Sequence, residues 1–241
     1  MERKEEIIKF FEQYIDEFEG GGGGGTKPNE TEFDLTPRDF LDFAEKDLEQ
    51  VNSTHSLINA TSNLKRAVDC QLDSFLTLLN LDQFYRKKRL GVDRKLGFLD
   101  LSGLFRSKSL EKLNKMRNRL EHYYEVPEIE DVEVYFDLVV AFVSVIEGVV
   151  PLIGYNSTLE MSLVSEGRIS TEYIYTKPSI VIFLKHKESN YEKEFECDMS
   201  GSNVSVDNLQ EFAFFFKVHS LLRSFDGGMS SAKHVLKSLK E

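Results

Sequence analysis

Four side chains near the middle of the chain have the types and spacing for proton transfer beside an anion: Arg117, Asn118, His122 and Tyr124. An imidazole has an unperturbed pKa of about 6.5, so His122 can take up and return a proton near neutral pH as a general base. The planar fork of Arg117 can hold an oxyanion and stabilise charge that develops on it. On a helix, Arg117 and His122 lie about 7.5 Å apart along the axis and roughly 140° apart around it. One helix therefore cannot close both groups on one anion. Asn118 is the i,i+4 neighbour of His122 and can orient its ring, and Tyr124 returns to the stripe of Arg117. Two copies of the helix across a two-fold axis would gather two Arg and two His in one cleft.

Each residue also has a plainer role open to it. Arg117 and Glu121 could form a surface i,i+4 pair worth about 0.3–0.5 kcal/mol. His122 could cap a helix C-terminus, and Tyr123 and Tyr124 could be core aromatics. His55, His186, His219 and His234 have no partner at useful spacing. Two cysteines, Cys70 and Cys197, are too few for a zinc site or a disulfide framework. No His, Asp or Glu cluster has metal-ligand spacing, so neither a metal nor a cofactor is expected.

The run Lys115-Met116-Arg117-Asn118-Arg119-Leu120-Glu121-His122-Tyr123-Tyr124-Glu125-Val126-Pro127 resembles the motif of the HEPN family: an Arg, a polar residue, three residues, then His. It is also similar to the extended form in toxins paired with nucleotidyltransferases, where a Tyr follows two places after the His, here Tyr124. The resemblance covers about Thr36 to Pro151. It implies a helical bundle, a homodimer with a composite active site, and metal-independent RNA cleavage in a toxin–antitoxin or antiphage defence system. In that chemistry His122 accepts the proton of a ribose 2′-OH, whose oxygen attacks the adjacent phosphorus. A 2′,3′-cyclic phosphate and a 5′-OH result. Arg117 binds the phosphate, Asn118 orients the imidazole, and the second His122 protonates the leaving oxygen. Tyr124 corresponds to the tyrosine on which an AMP-transferring antitoxin silences the enzyme. The alternative reading is a HEPN bundle that senses or binds nucleotides or RNA without cleaving.

Charge distribution bears on the same question. The chain has a net charge of −11, yet Phe84 to Arg119 contains twelve Lys or Arg against three acidic residues, Asp93, Asp100 and Glu111. A basic segment in an acidic protein offers a local anion-binding surface, because phosphate contacts are electrostatic and screened within about 8 Å at cellular salt. Arg86, Lys87, Lys88, Arg89, Arg94, Lys95 and Arg119 are the candidate RNA contacts. A solvated helical face is the competing account. The N-terminus has no basic-then-apolar signal region, and the run Leu138 to Ile146 is shorter than the ~20 residues a bilayer needs. A soluble, cytoplasmic protein without membrane partners is expected.

These residues need a scaffold, and the pattern predicts an α+β chain: an all-α bundle followed by a strand-rich α+β region. Residues 1–19 read as an amphipathic helix through Ile7, Ile8, Phe11, Tyr14, Ile15 and Phe18. With seven acidic and three basic residues between Glu2 and Glu19, it could fold onto the basic core as an inhibitory helix, or mimic an antitoxin's. Residues 20–32 contain six consecutive glycines and read as a flexible linker, natural or engineered. Residues 33–154 form the helical domain, opened by the N-cap Thr36 before Pro37 and closed by a helix over Glu128–Val150 that Pro151 stops. Within it, Ser109 caps the motif helix, which Pro127 ends. Residues 155–241 carry strands over Thr158–Ser165, Ile169–Thr176, Ser179–His186 and Tyr191–Asp198, then a helix over Asp207–Phe225 and a short closing helix. Phe212, Phe214, Phe215 and Phe216 read as core or interface.

Overall fold

The computed structural model describes residues 2–25, 31, 33–49, 53–106, 108–126, 128–155, 157–174, 176–201 and 203–241, without the side chains of Ser109, Asn114, Arg117 and Glu121. It is an α+β fold in which helix α1 (Glu2–Tyr14) and strand β1 (Phe18–Gly24) precede a helical segment, and a sheet with two helices follows it. The helical segment comprises α2 (Pro37–Glu49), α3 (Thr54–Leu78), α4 (Asp82–Lys87), α5 (Val92–Leu101), α6 (Lys108–Tyr123) and α7 (Ile129–Ile153). Strands β2 (Thr158–Leu163), β3 (Gly167–Ile174), β4 (Ser179–His186) and β5 (Tyr191–Asp198) form an antiparallel meander, and α8 (Val206–Asp226) and α9 (Ala232–Lys240) end the chain.

Local chemistry sets most of these boundaries. Thr36 and Asp39 cap α2 reciprocally: the Thr36 hydroxyl accepts from the Asp39 amide at 3.3 Å, and the Asp39 carboxylate accepts from the Thr36 amide at 2.7 Å. Those hydrogen bonds hold the Asp39 carboxyl below its usual range. Ser53 and Ser205 open α3 and α8 with capping boxes. Pro151 lies inside α7 rather than at its end. Its ring removes one N–H from the last turn, where the helix has only two residues left to form, so the loss is small.

The first departure from expectation concerns the glycines. Gly20–Gly24 are part of an edge strand, paired antiparallel with β2 through Gly22–Glu160, Gly23–Leu159 and Gly24–Thr158, with an irregularity between Glu19 and Gly22. A Cβ at Gly21 would overlap the Glu160 carbonyl, and one at Gly23 the Thr158 carbonyl and the Arg223 guanidinium, which donates to that carbonyl. Only glycine lets the two backbones and Arg223 approach this closely. Residues 26–30 and 32 of the expected linker, like Pro127, lie outside the described residues.

The second departure concerns α1. Rather than resting on the basic segment, it buries Ile7, Phe10, Phe11 and Tyr14, with Ile15 just after it, beside α9 and the sheet-bearing half of the molecule. At about 1.5–3 kcal/mol for each large side chain removed from water, that face holds α1 in place. Its charges are answered locally: Glu12 pairs with Lys240 at 2.6 Å, Glu6 pairs with Lys193, and Arg3 donates to the Glu196 carbonyl at 3.0 Å. Both chain ends thus build the sheet half, and the helical segment is inserted between them.

Helix α8 joins the halves. Phe212, Phe215, Phe216 and His219 are fully buried, and one continuous core runs from α1 to α9. Tyr173 on β3 donates its hydroxyl to the Leu79 carbonyl at the end of α3 (2.8 Å). His219 Nδ1 accepts from Thr171 Oγ1 at 2.8 Å while Nε2–H donates to the Leu152 carbonyl near the end of α7 at 3.1 Å. The C-terminal ends of α3 and α7 therefore both meet the sheet, and the two helices run side by side in the same direction.

Two measurements follow. Gly21→Ala or Gly23→Ala is expected to lower stability by more than 1 kcal/mol, whereas Gly22→Ala, whose Cβ meets open space, changes it by less. Equal melting shifts for all three would mean a free tether. Burial lowers the His219 pKa to about 4, below the 6.5 of the unfolded chain. The unfolded state then binds more protons between these values. His219 stabilisation is complete above about pH 6.5 and falls by about 3 kcal/mol in total as pH drops to about 4. Urea melts at pH 7 and pH 5, with His219→Gln losing this slope, check the assignment.

Candidate functional site

The helix α6 is built on Leu110, Leu113, Met116 and Leu120, which recur at three- and four-residue steps and face the bundle. The opposite side carries Lys108, Lys112, Lys115, Arg119 and His122, all exposed and separated by four, three, four and three residues. At 100° per residue these five positions fall within a sector of roughly 80°, about 150° around the helix from the mean direction of the leucines, whereas position 117 falls on the leucine side. Asn118 is half-buried one turn before His122, beside that sector. Position 117 is about 140° from His122, as its spacing requires, and the Arg117 side chain is outside the described part of the structure.

The helix ends where Tyr124 adopts a left-handed conformation (φ +58°) and the Glu125 amide donates to the Arg119 carbonyl at 3.5 Å. Arg119 and Glu125 form an ion pair across the same turn. Tyr123 is 72% exposed and Tyr124 85% exposed, so both rings project from the helix end rather than pack in a core. A non-glycine residue held in this region costs about 1 kcal/mol and marks a position where backbone geometry, not packing, decides the side chain's direction.

Topology places this end of α6. A short link joins it to the start of α7, whose far end, about 37 Å away at 1.5 Å per residue, is fixed to the sheet through Leu152. His122 accordingly stands at the pole of the bundle remote from the sheet. The other expected RNA contacts stand elsewhere. Arg86, Lys87, Lys88 and Arg89 lie on or just after α4, which packs back on the last turns of α3 near the sheet, and Arg94 and Lys95 open α5 beside them. Of the expected contacts only Arg119 stands with His122, one turn before it on α6. Sequence proximity between Phe84 and Arg119 suggested one surface; the fold instead gathers the α4 and α5 cations around a cavity with Asp73 and Asp82, while those of α6 line the outward face of that helix.

The α4 cluster has its own shape. Tyr85, Arg86, Arg89 and Lys95 line a cavity of about 210 Å³ with Asp73 and Asp82. Lys95 is tied to Asp73 by an ion pair, which removes one cation from the anion-binding count. Arg89, like Tyr124, is left-handed (φ +54°) at a helix end, where the Leu90 amide closes the turn onto the Tyr85 carbonyl at 3.0 Å.

Two histidines that had no partner by spacing gain partners through folding. His219 is the buried link described above. His186 stacks on Tyr14 with ring centroids 4.2 Å apart, accepts at Nδ1 from the Ser189 amide, and donates from Nε2 to Ser165 Oγ at 3.0 Å. Ser165 in turn donates to Glu17. This tautomer sends the proton away from the ring, so the chain of bonds ties the β2–β3 and β4–β5 turns to the α1 segment and leaves Ser165 without a base at the histidine. Cys197 is pushed up to about 12 by burial, and burial also raises the Cys70 thiol, so neither is a ready nucleophile. Among the described residues, no three His, Cys, Asp or Glu side chains cluster as a metal site.

The helix beside the motif is unusual in its outer face. Val134, Leu138, Ala141, Val145, Gly148 and Leu152 follow a four-three repeat along α7, with Val134 66% exposed. By length and composition α7 is also the one described helix apolar enough to cross a bilayer, while its inner face, Val132, Val139, Phe142, Val143 and Ile146, is buried in the bundle.

Compared with protein-family models, characterised proteins and solved structures, the chain matches none of them. Tyr124→Gly is expected to raise stability by about 1 kcal/mol, because it relieves the left-handed strain and removes a ring that packs on little. A drop in melting temperature instead would mean that the tyrosine is held by contacts.

Proposed function

We infer that the chain is a HEPN-type, metal-independent RNA endonuclease acting as a cytoplasmic homodimer, of the kind used in toxin–antitoxin or antiphage defence. The observation that carries this reading is the exposure of His122 at the open pole of the bundle, with Asn118 one turn before it and a line of cations leading to it. A buried or walled-off imidazole could not reach a ribose hydroxyl.

His122 accepts the 2′-OH proton, and the oxygen attacks the adjacent phosphorus to give the cyclic phosphate and a free 5′-OH. Arg117 stabilises the charge on the phosphoryl oxygens, and Asn118 orients the ring. Because positions 117 and 122 diverge around the helix, a second copy completes the centre and its His122 protonates the leaving oxygen. The apolar stripe on α7 supports pairing: a two-fold axis near Val134 covers that side chain and brings two α6 ends to one pole. The divergence of positions 117 and 122 is also what favours the second reading, a HEPN bundle that binds RNA without cutting it.

The test is RNA cleavage in the presence of chelator by wild type, Arg117→Ala, His122→Ala and Val134→Glu. Wild type is expected to release cyclic phosphate ends, with at least a hundredfold loss in the first two variants. Val134→Glu is expected to lose dimer and cleavage together. Equal cleavage by all four proteins, or none by a wild type that still binds RNA, removes the nuclease reading.

A further inference from the structure

We propose that the outward ridge of α6 is a track for the backbone of single-stranded RNA, running from Lys108 through Lys112, Lys115 and Arg119 to His122, and that the cationic cluster around α4 takes no part in it. The substrate class named here rests on the reading of His122 as the cleavage centre; the binding surface itself does not.

The ridge has the geometry of a single-file polyanion site. Its cations repeat every three or four residues, which is a step of about 4.5–6 Å along the axis, over a length of roughly 21 Å. All five side chains are exposed, and they share one sector of one helix. Among the described residues, no ion pair engages Lys108, Lys112 or Lys115, while Arg119 is shared with Glu125. Charges spaced this way can neutralise successive phosphates of one strand and release their counterions.

The end of the track carries the second observation. Tyr123 and Tyr124 present open aromatic faces beside His122, with Tyr124 held outward by its left-handed backbone. Exposed rings stack on unpaired bases, which a duplex keeps inside its own stack. Phosphate contacts along α6 with a base on Tyr123 or Tyr124 would set a ribose at the imidazole. The α4 cluster is set apart by its own pairing: Lys95 is tied to Asp73, and Arg86 and Arg89 line a cavity that also holds the Asp73 and Asp82 carboxylates.

Salt dependence tests the assignment in the full-length His122→Ala protein, where binding is read without cleavage. The probe is a fluorescent, unstructured 12-mer RNA, titrated between 50 and 200 mM salt. Each neutralised phosphate of a single strand contributes a slope of about −0.7 in log K against log salt. Lys108→Gln, Lys112→Gln and Lys115→Gln together are expected to reduce the slope by about 2, and Arg86→Gln, Lys87→Gln, Lys88→Gln and Arg89→Gln together to leave it unchanged. Tyr123→Ala with Tyr124→Ala should weaken binding about tenfold, and a blunt duplex of equal length should bind at least tenfold more weakly than the single strand. The proposal is overturned if the α4 variant changes the slope and the α6 variant does not, or if duplex binds as tightly as single strand. Wild type that binds by this ridge but yields no product ends would refute the nuclease reading alone. Wild type that cleaves with a slope indifferent to the ridge would refute the track alone.

Discussion

The orientation of every functional element follows from one buried junction, where β3 and α8 meet the C-terminal ends of α3 and α7. Tyr173 supplies a hydrogen bond to the Leu79 carbonyl, and His219 bridges Thr171 to the Leu152 carbonyl, both inside the Phe212–Phe215–Phe216 core. A carbonyl at a helix end has no intrahelical partner, so burying it without these donors would cost about 1–3 kcal/mol each. The imidazole can serve only while neutral, and burial keeps it so. Because two parallel helices are anchored at the same end, their N-terminal ends and the returning end of α6 are left at the opposite pole. The exposure of His122 is a consequence of how far it lies from that junction.

The junction also explains why the chain's first residues belong with its last. The sheet needs a covered inner face and a fifth strand. Helix α8 supplies the first, and the glycine strand the second. The Arg223 guanidinium passes over β1 to reach the Thr158 carbonyl, and glycine alone leaves it room. Once β1 is in register, the adjoining α1 must lie over the sheet's edge and α9, where Ile7, Phe10, Phe11 and Tyr14 are sealed. A detached acidic helix resting on the cationic segment would leave that face in water, and no surface charge attraction of about 0–1 kcal/mol per pair compensates for it.

Within α6, three demands are met by three faces. Leucines hold the helix to the bundle, Asn118 sits at the border, and the cations with His122 point away from the leucines. The cost of that arrangement is placed at the helix end, in the left-handed Tyr124 and the Arg119–Glu125 pair that closes the turn. Strain of this kind persists where surrounding structure fixes it, and here it turns an aromatic ring toward solvent beside the imidazole.

Periodicity and capping chemistry by themselves determined much of the local structure. Runs rich in β-branched and aromatic residues, bounded by Pro178 and by Ser189-Asn190, marked β4 and β5 to their ends, Thr36 with Pro37 marked the start of α2, and the pattern from Asp207 to Phe225 marked α8 to within a residue at each end, because these signals act over a few residues. The i,i+4 relation of Asn118 to His122 and the divergence of position 117 were equally local, since helix geometry alone sets them. Only the tertiary structure decided that the glycines form a strand: they have no side chains to signal it, and the reason for them lies in carbonyls of residues 158 and 160 and in Arg223. Only it set Arg86, Arg89 and Lys95 around a cavity apart from the outward face of α6, and gave His219 and His186 their partners. Those outcomes depend on contacts between residues far apart in the chain, where sequence spacing holds no distance information.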